Sequence, residues 1–110
     1  MSTTRKLSTR ALALLATLFL GAPAMAGTQV IEIRKFAFVA REITVAPGTT
    51  VTWVNRDETP HTVIGEAHAF TSQGLDTGDQ FAFTFEREGD YHYVCSLHPF
   101  MTGTVHVRRP

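Results

Sequence analysis

Short runs in which aromatic or β-branched residues take every second position are the feature that most constrains how this chain can fold. In QFAFTFE, residues 80–86, every second residue is Phe, and YHYVC, residues 91–95, alternates in the same way. Alternation at period two is typical of β-strands with one buried face. Similar runs, such as TVTWVN and GTVHVR, are separated by turn signals that include Pro47-Gly48. The sequence therefore predicts an all-β domain, a small β-sandwich.

This β pattern covers nearly the whole chain beyond residue 26. No run predicts a convincing amphipathic helix, although residues 66–76 are compatible with a loop that contains one helical turn. Seven Phe, Trp53 and two Tyr follow residue 26, and these rings suffice to fill a thin layer between two sheets. We therefore expect most of the aromatic residues to lie in the core.

The first 26 residues have a different composition from the rest. Basic residues at positions 5, 6 and 10 precede an apolar run, ALALLATLFLGAPAMA, which closes on the small-residue pattern Ala24-Met25-Ala26. This order of basic, apolar and small residues is typical of a secretory signal peptide. We expect a signal peptide over residues 1–26, cleaved after Ala26, and a mature domain over residues 27–110.

Removal of that segment would change the charge balance. It carries three of the ten basic residues and none of the ten acidic ones, so residues 27–110 have a net charge of −3 with His neutral. A negative domain argues against binding to nucleic acid or stable association with an anionic membrane. A domain of 84 residues also has a modest core, and domains of this size often rely on a bound metal.

The loop CSLHPFM holds the only cysteine of the chain, Cys95, and places His98 and Met101 at successive spacings of three. A lone thiol cannot form an internal disulfide bond, and a free exposed thiol is a liability in an oxidising compartment. A six-residue span can fold back so that all three side chains point inward. The loop therefore predicts three ligands of one metal ion.

A fourth ligand must come from elsewhere in the chain. His61 follows Pro60 at the start of a predicted short strand, HTVI, 34 residues before Cys95, and the loops at one end of a sandwich can bring the two together. His92 alternates to the face opposite Cys95, His106 lies on the outward face of the last strand, and His68 is in the least regular segment. We therefore expect His61 to be the fourth ligand and the other three to be surface residues.

Two imidazoles, a thiolate and a weak axial thioether make up the blue-copper arrangement. Thiolate and thioether favour Cu(I) and imidazole tolerates Cu(II), so one ion can change oxidation state with little rearrangement. Zinc is the main competitor, but zinc sites use Cys, His or carboxylate rather than a thioether. The predicted metal site, made of His61, Cys95, His98 and Met101, therefore favours one copper ion per chain.

VTWVNRDETPHTV and FTFEREGDYHYVCSLHPFMTGTVHV resemble the cupredoxins, the type 1 blue copper proteins, and among these the amicyanins and, less closely, the pseudoazurins. The resemblance covers roughly residues 42–107. It implies a Greek-key β-sandwich that binds one copper ion at its loop-bearing end and carries electrons between periplasmic redox proteins. It also implies the same four ligands.

Two positions depart from the pattern of the family. Thr62 stands where amicyanin-like proteins commonly have an Asn that braces the ligand loop, and its hydroxyl is expected to brace less firmly. Leu97 stands where many relatives have Pro. Since Leu97 has a backbone N–H, we expect it to donate to the sulfur of Cys95 and so raise the reduction potential.

The function expected from the sequence is a monomeric electron carrier of the periplasm, not an enzyme. Electrons would pass through the edge of His98, and partners would dock on the apolar surface that Pro99 and Phe100 form around it. A copper carrier or storage protein is the alternative, since the same ligands would serve it. A Cys-His nucleophile is disfavoured because Met101 would have no role and no orienting acid is visible.

Overall fold

The computed structural model describes residues 26–110, so the predicted signal peptide lies almost wholly outside the described residues. Eight strands make up the domain, and a short 3₁₀ turn, Glu66–His68, follows β5. The strands are β1 (Thr28–Arg34), β2 (Ala37–Val39), β3 (Glu42–Val45), β4 (Thr49–Asn55), β5 (Ile64–Gly65), β6 (Gln80–Phe85), β7 (Gly89–Val94) and β8 (Thr102–Val107). No helix of the described part is long and apolar enough to cross a membrane.

The strands form two four-stranded sheets that pack as a Greek-key β-sandwich. One sheet has the order β2-β1-β4-β6 and the other β3-β8-β7-β5. The pairs β1–β4 and β3–β8 are parallel, while the remaining pairs are antiparallel. This architecture confirms the predicted all-β sandwich. The 3₁₀ turn lies within residues 66–76, the segment that the sequence indicated was compatible with one helical turn.

The aromatic faces of the strands meet around Trp53, which is fully buried. Its ring packs edge-on against Tyr93 at 5.3 Å between centroids and is stacked with Phe70 at 5.7 Å. Burial of an apolar side chain of this kind contributes about 1.5–3 kcal/mol. Burial also raises the pKa of Tyr93 to about 12, with the indole of Trp53 opposing the shift. The predicted aromatic core is therefore confirmed.

Gly103 on β8 allows the close approach of Tyr93, its partner on β7. A Cβ at Gly103 would collide with the ring of Tyr93. Only glycine fits this position unless the ring moves, and the ring is held in the core. The packing around Gly103 thereby fixes the start of β8, just after the ligand loop.

Two local expectations were wrong. The run HTVI was expected to be a short strand from His61, but only Ile64 and the following glycine pair with β7, and His61 makes an isolated bridge with Leu75. The alternation in TVTWVN places Val54 on the same outer face as Thr50 and Thr52, opposite Val51 and Trp53, yet it is 7% exposed. At the end of β4, loops cover residues that a strict alternation of buried and exposed positions would leave in solvent.

Candidate metal centre

Three of the four predicted ligands converge at one end of the sandwich. His61 comes from the connection between β4 and β5, whereas Cys95 and His98 come from the connection between β7 and β8. One potential ligand atom from each lies within 4.8 Å of the other two, and His61 and Cys95 are fully buried. Among residues 26–110, no other group of His, Cys, Asp and Glu side chains is compact enough to hold a metal.

The loop from Cys95 to Met101 is closed by its own backbone. The N–H of Cys95 donates to the carbonyl of Met101 at 3.1 Å, that of His98 to the carbonyl of Cys95 at 3.2 Å, and that of Met101 to the carbonyl of His98 at 2.8 Å. These bonds join each of the three residues to the other two. The three-residue spacing in the sequence therefore corresponds to one backbone turn between successive candidate ligands. Met101 is 2% exposed, which removes its thioether from water.

The distances between the donor atoms suit a trigonal metal site. Cys95 Sγ lies 3.8 Å from His61 Nδ1 and 3.7 Å from His98 Nδ1. A metal about 2.0–2.1 Å from each nitrogen and about 2.3 Å from sulfur, with angles near 120°, needs N–S separations of about 3.8 Å. The residues therefore fit a metal bound by two imidazoles and one thiolate, the donor set of blue-copper sites.

His61 is held from behind by a carboxylate that the sequence reasoning missed. Its Nε2 lies 2.9 Å from Asp57 Oδ2, so Nδ1 is left facing the sulfur. Burial raises the pKa of Asp57, but hydrogen bonds from the amides of Phe36 and Lys35 and from His61 outweigh it and lower the pKa overall. The spacing of four between Asp57 and His61 was the only available signal, and it is too common to single out a pair.

Thr62 is the residue that supports the sulfur of Cys95. Its backbone N–H lies 3.4 Å from Sγ and its hydroxyl 3.8 Å from Sγ. The same hydroxyl accepts the N–H of Ser96 at 2.9 Å and pairs with the Ser96 hydroxyl at 2.9 Å. Thr62 thus braces the ligand loop, and the expectation that it does so less firmly than an Asn stays a prediction.

The expected bond from the Leu97 amide to the sulfur is not formed, so that expectation was wrong. Within the described residues the N–H donor to Sγ is Thr62, from the opposite loop. The amide of His98 is bonded to the carbonyl of Cys95, which turns the backbone between them away from the sulfur. Leu97 instead presents a side chain that is 55% exposed.

Apolar side chains surround the outer edge of His98. Phe100 is 71% exposed and its ring lies 6.1 Å from that of His98. Phe36, from the turn between β1 and β2, meets the rings of both histidines edge-on, at 5.2 Å from His61 and 5.0 Å from His98. Sequence reasoning missed Phe36 because its contact depends on how the sandwich closes.

The three remaining histidines lie outside this centre. His92 and His106 point outward from β7 and β8, where His92 pairs with Thr104 and His106 lies between Glu42 and Asp90. Hydrogen bonds that the imidazole of His106 donates to Asp90 first and to Glu42 second raise the pKa of His106. His68 is exposed at the end of the 3₁₀ turn. The surface positions expected for all three are confirmed.

Comparisons with known proteins find copper-binding relatives. The profile of a family described as "Copper binding proteins, plastocyanin/azurin family" matches residues 25–108. Amicyanin of Paracoccus versutus is 38% identical over 84 residues, covering 71% of this chain and 63% of that protein. Amicyanin of Paracoccus denitrificans is 37% identical over 95 residues, covering 81% and 72%. The solved structure of a purple cupredoxin from Nitrosopumilus maritimus has a TM-score of 0.70 and 34% identity, covering 73% of this chain and 99% of that one.

Proposed function

The chain belongs to the plastocyanin/azurin family of copper-binding proteins, and from that premise we propose that it is a periplasmic carrier of single electrons. The proposed ligands of its one copper ion are His61, Cys95, His98 and Met101. The observation that carries this proposal is the pair of separations from Cys95 Sγ to the two Nδ1 atoms, 3.8 and 3.7 Å. A copper ion bound there would supply a one-electron couple, Cu(I)/Cu(II).

The polypeptide holds the donor atoms in place through contacts that do not depend on the ion. Backbone hydrogen bonds close the loop of Cys95 and His98, and Thr62 ties that loop to the connection that carries His61. A site held in this way resists the change of geometry that accompanies a change of oxidation state. Little reorganisation during electron transfer is the property that a carrier needs.

Electrons are proposed to enter and leave through the edge of His98, which is the partly exposed histidine of the centre. The exposed apolar side chains next to it would form the docking surface, made of Leu97, Pro99 and Phe100 with Phe36 at its edge. An apolar patch with a polar rim suits partners that bind briefly. We propose that the partners are other periplasmic redox proteins and that the carrier acts as a monomer.

The proposed location depends on residues 1–26, which we propose form a signal peptide cleaved after Ala26, leaving a copper domain over residues 27–110. The buried state of Cys95 is compatible with an oxidising compartment, because a thiol that is 0% exposed is shielded from oxidants. The same burial is the reason to propose a carrier rather than an enzyme. A nucleophilic thiol must be reachable by its substrate.

Colour is the direct test of this proposal. Purified protein loaded with Cu(II) is expected to show the intense charge-transfer band of a thiolate–copper bond and to bleach and recover on reduction and oxidation. Cys95→Ser should lose the band, whereas His68→Ala, which changes an exposed histidine outside the centre, should keep it. A colourless wild-type protein with Cu(II) bound would contradict the proposal.

A second measurement separates an electron carrier from a copper carrier or storage protein. The Cu(I) protein is mixed with a Cu(I) chelator of known affinity, and copper release is followed over hours. An electron carrier should hold its copper through many oxidation and reduction cycles, because the site is buried and braced. Rapid transfer to the chelator, together with slow electron exchange, would favour the copper carrier.

A further inference from the structure

The carboxylate of Asp57 is the meeting point of two parts of the molecule that are far apart in sequence. Oδ1 accepts the backbone N–H of Lys35 at 2.6 Å, and Oδ2 accepts that of Phe36 at 2.9 Å. Oδ2 also lies 2.9 Å from Nε2 of His61. Three donors therefore converge on one carboxylate, whose side chain is 15% exposed against 0% for His61.

The two amides belong to a turn that is difficult to form without help. Lys35 and Phe36 form the two-residue loop between β1 and β2, and both have positive φ, 50° and 60°. Such turns favour Asn or Gly because the left-handed conformation costs other residues about 1–2 kcal/mol each. Successive amides in this conformation form a concave anion-binding nest. The carboxylate of Asp57 fills that nest.

The backbone of Asp57 is held by hydrogen bonds at both its N–H and its carbonyl. Its N–H donates to Asn55 Oδ1 at 2.9 Å, and its carbonyl accepts the hydroxyl of Thr77 at 2.6 Å. Asn55 is fully buried, and its amide donates to the carbonyls of Thr59 and Leu75. These contacts hold the carboxylate in position without any help from a metal ion. The carboxylate therefore does not need to move when His61 binds one.

The bond to Asp57 determines which nitrogen of His61 carries the proton. A carboxylate that already accepts two amides can only accept from Nε2, so Nε2 is the protonated nitrogen and Nδ1 keeps its lone pair. Nδ1 is the atom that faces Cys95 Sγ. A histidine that donates to a carboxylate is also a more basic ligand than one that donates to a neutral group.

We propose that Asp57 is a positioning residue that fixes the tautomer of His61, holds the Lys35–Phe36 turn against the centre and favours Cu(II) over Cu(I). This inference rests on the proposed function, since it names the residue that tunes the same site. The negative charge acts on the metal through the His61 ring and stabilises the more positive oxidation state. The same carboxylate places Phe36, so the edge of the docking surface and one ligand share a support.

The main test compares Asp57→Asn with Glu58→Gln in the copper-loaded full chain. Both changes remove one negative charge at neighbouring positions, but Glu58 is exposed and makes no side-chain hydrogen bond among the described residues. Asp57→Asn is expected to raise the Cu(I)-to-Cu(II) affinity ratio about tenfold, which shifts a one-electron potential upward by about 59 mV. Glu58→Gln should leave the potential near that of the wild type. Equal potentials in the two variants would overturn the inference.

Two further measurements keep the test decisive if Asp57→Asn folds poorly. Asp57→Glu keeps the charge and should bring the potential back towards the wild-type value. Long-range ¹H–¹⁵N spectra of the wild-type Cu(I) and metal-free proteins should show a slowly exchanging proton on Nε2 of His61. A rapidly exchanging Nε2 proton, or a proton on Nδ1 in the metal-free protein, would overturn the inference.

These results are separable from the proposed function. A wild-type protein without the charge-transfer band would reject the blue-copper function, while the Nε2 proton in the metal-free protein would still decide whether Asp57 positions His61. A normal band with no change of potential in Asp57→Asn would reject the role of Asp57 and leave the electron carrier standing.

Discussion

The two histidines of the centre present Nδ1 to Cys95 Sγ at nearly the same distance, 3.8 and 3.7 Å, but their outer nitrogens meet different surroundings. On the His61 side, Nε2 is bonded to Asp57 and the ring is fully buried. On the His98 side, the ring is partly exposed, and Nε2 has no hydrogen-bond partner in the described part of the chain. Its neighbours there are exposed rings such as Phe100.

This difference separates two requirements that an electron carrier must meet at one ion. The ligand geometry must stay fixed when the charge of the ion changes, and the His61 side meets that requirement with a buried, fully bonded imidazole. The electron must also reach a partner over a short distance, and the His98 side meets this one with an exposed edge in an apolar surface. The four predictions below would sharpen or break this division.

The largest difference is expected when each histidine is reduced to glycine. His61→Gly leaves a buried cavity and a carboxylate that has lost one of its donors, so the free energy of unfolding should fall by about 3 kcal/mol. His98→Gly opens a partly exposed site and should cost less than about 1 kcal/mol. Denaturant unfolding of the two metal-free variants measures the difference.

Added imidazole provides the matched control for this pair. It should restore the charge-transfer band of His98→Gly, because the gap opens to solvent, and should fail to restore that of His61→Gly. Equal rescue of both variants would mean that the two sides do not differ in access, and the division would be wrong.

The docking role of the His98 side predicts the next effect, on the rate of electron exchange. Phe100→Glu places a charge in the apolar surface and should slow transfer to a redox partner about tenfold, the equivalent of about 1.4 kcal/mol. The copper spectrum should not change. Stopped-flow mixing with a soluble redox protein measures the rate. Val30→Glu, at a site on β1 that is 61% exposed, is the control, and equal slowing there would show a general charge effect.

Thr62 connects the two sides, and its hydroxyl predicts a smaller effect. Thr62→Val keeps the shape and the N–H to the sulfur but removes the hydroxyl that accepts the Ser96 amide. The free energy of unfolding should fall by about 1 kcal/mol, since the amide loses its partner. Thr62→Ser, which keeps the hydroxyl, should recover most of this loss. A Thr62→Val variant as stable as the wild type would mean that the brace contributes nothing.

The sequence allowed the His98 side to be predicted more completely than the His61 side. Cys95, His98 and Met101 lie within seven consecutive residues, so their spacing carries the geometry of the loop. The alternation of the strands predicted the sandwich and left His92 and His106 on its outer face. Local patterns of this kind can be read from the sequence because the pleat of a strand and the turns of a short loop are set by consecutive residues.

Asp57 and Phe36 could not be predicted because their roles come from contacts between distant segments. Phe36 reaches both histidines only after β1 and β4 have paired in parallel, and the carboxylate bonds amides 21 and 22 residues away. The Leu97 prediction failed for a related reason. The sulfur receives its N–H bond from Thr62, 33 residues before Cys95. A sequence pattern contains no information about which of several free amides will face the sulfur.

The smallest effect is expected far from both histidines, on the outer face of the second sheet. His106 lies between Asp90 at 2.7 Å and Glu42 at 2.8 Å, and these two carboxylates raise the pKa of its imidazole. A raised pKa means that the folded state binds the proton more tightly than the unfolded state. The resulting stability is fully present below about pH 6.5, the ordinary value for histidine, and is lost as the pH rises through the raised pKa.

His106→Gln should therefore lower the free energy of unfolding at pH 6 and have less effect at pH 9, where the wild type has already lost the charged pairs. Urea unfolding at the two pH values measures this, and His92→Gln is the control because His92 pairs with the hydroxyl of Thr104 rather than with a carboxylate. The copper band should be the same in both variants, since neither residue belongs to the centre. If the charge-transfer band depends on pH in both variants, that dependence originates at the copper site. If His106→Gln altered the band itself, the centre would be coupled to the far sheet, and the division between its two sides would no longer account for its behaviour.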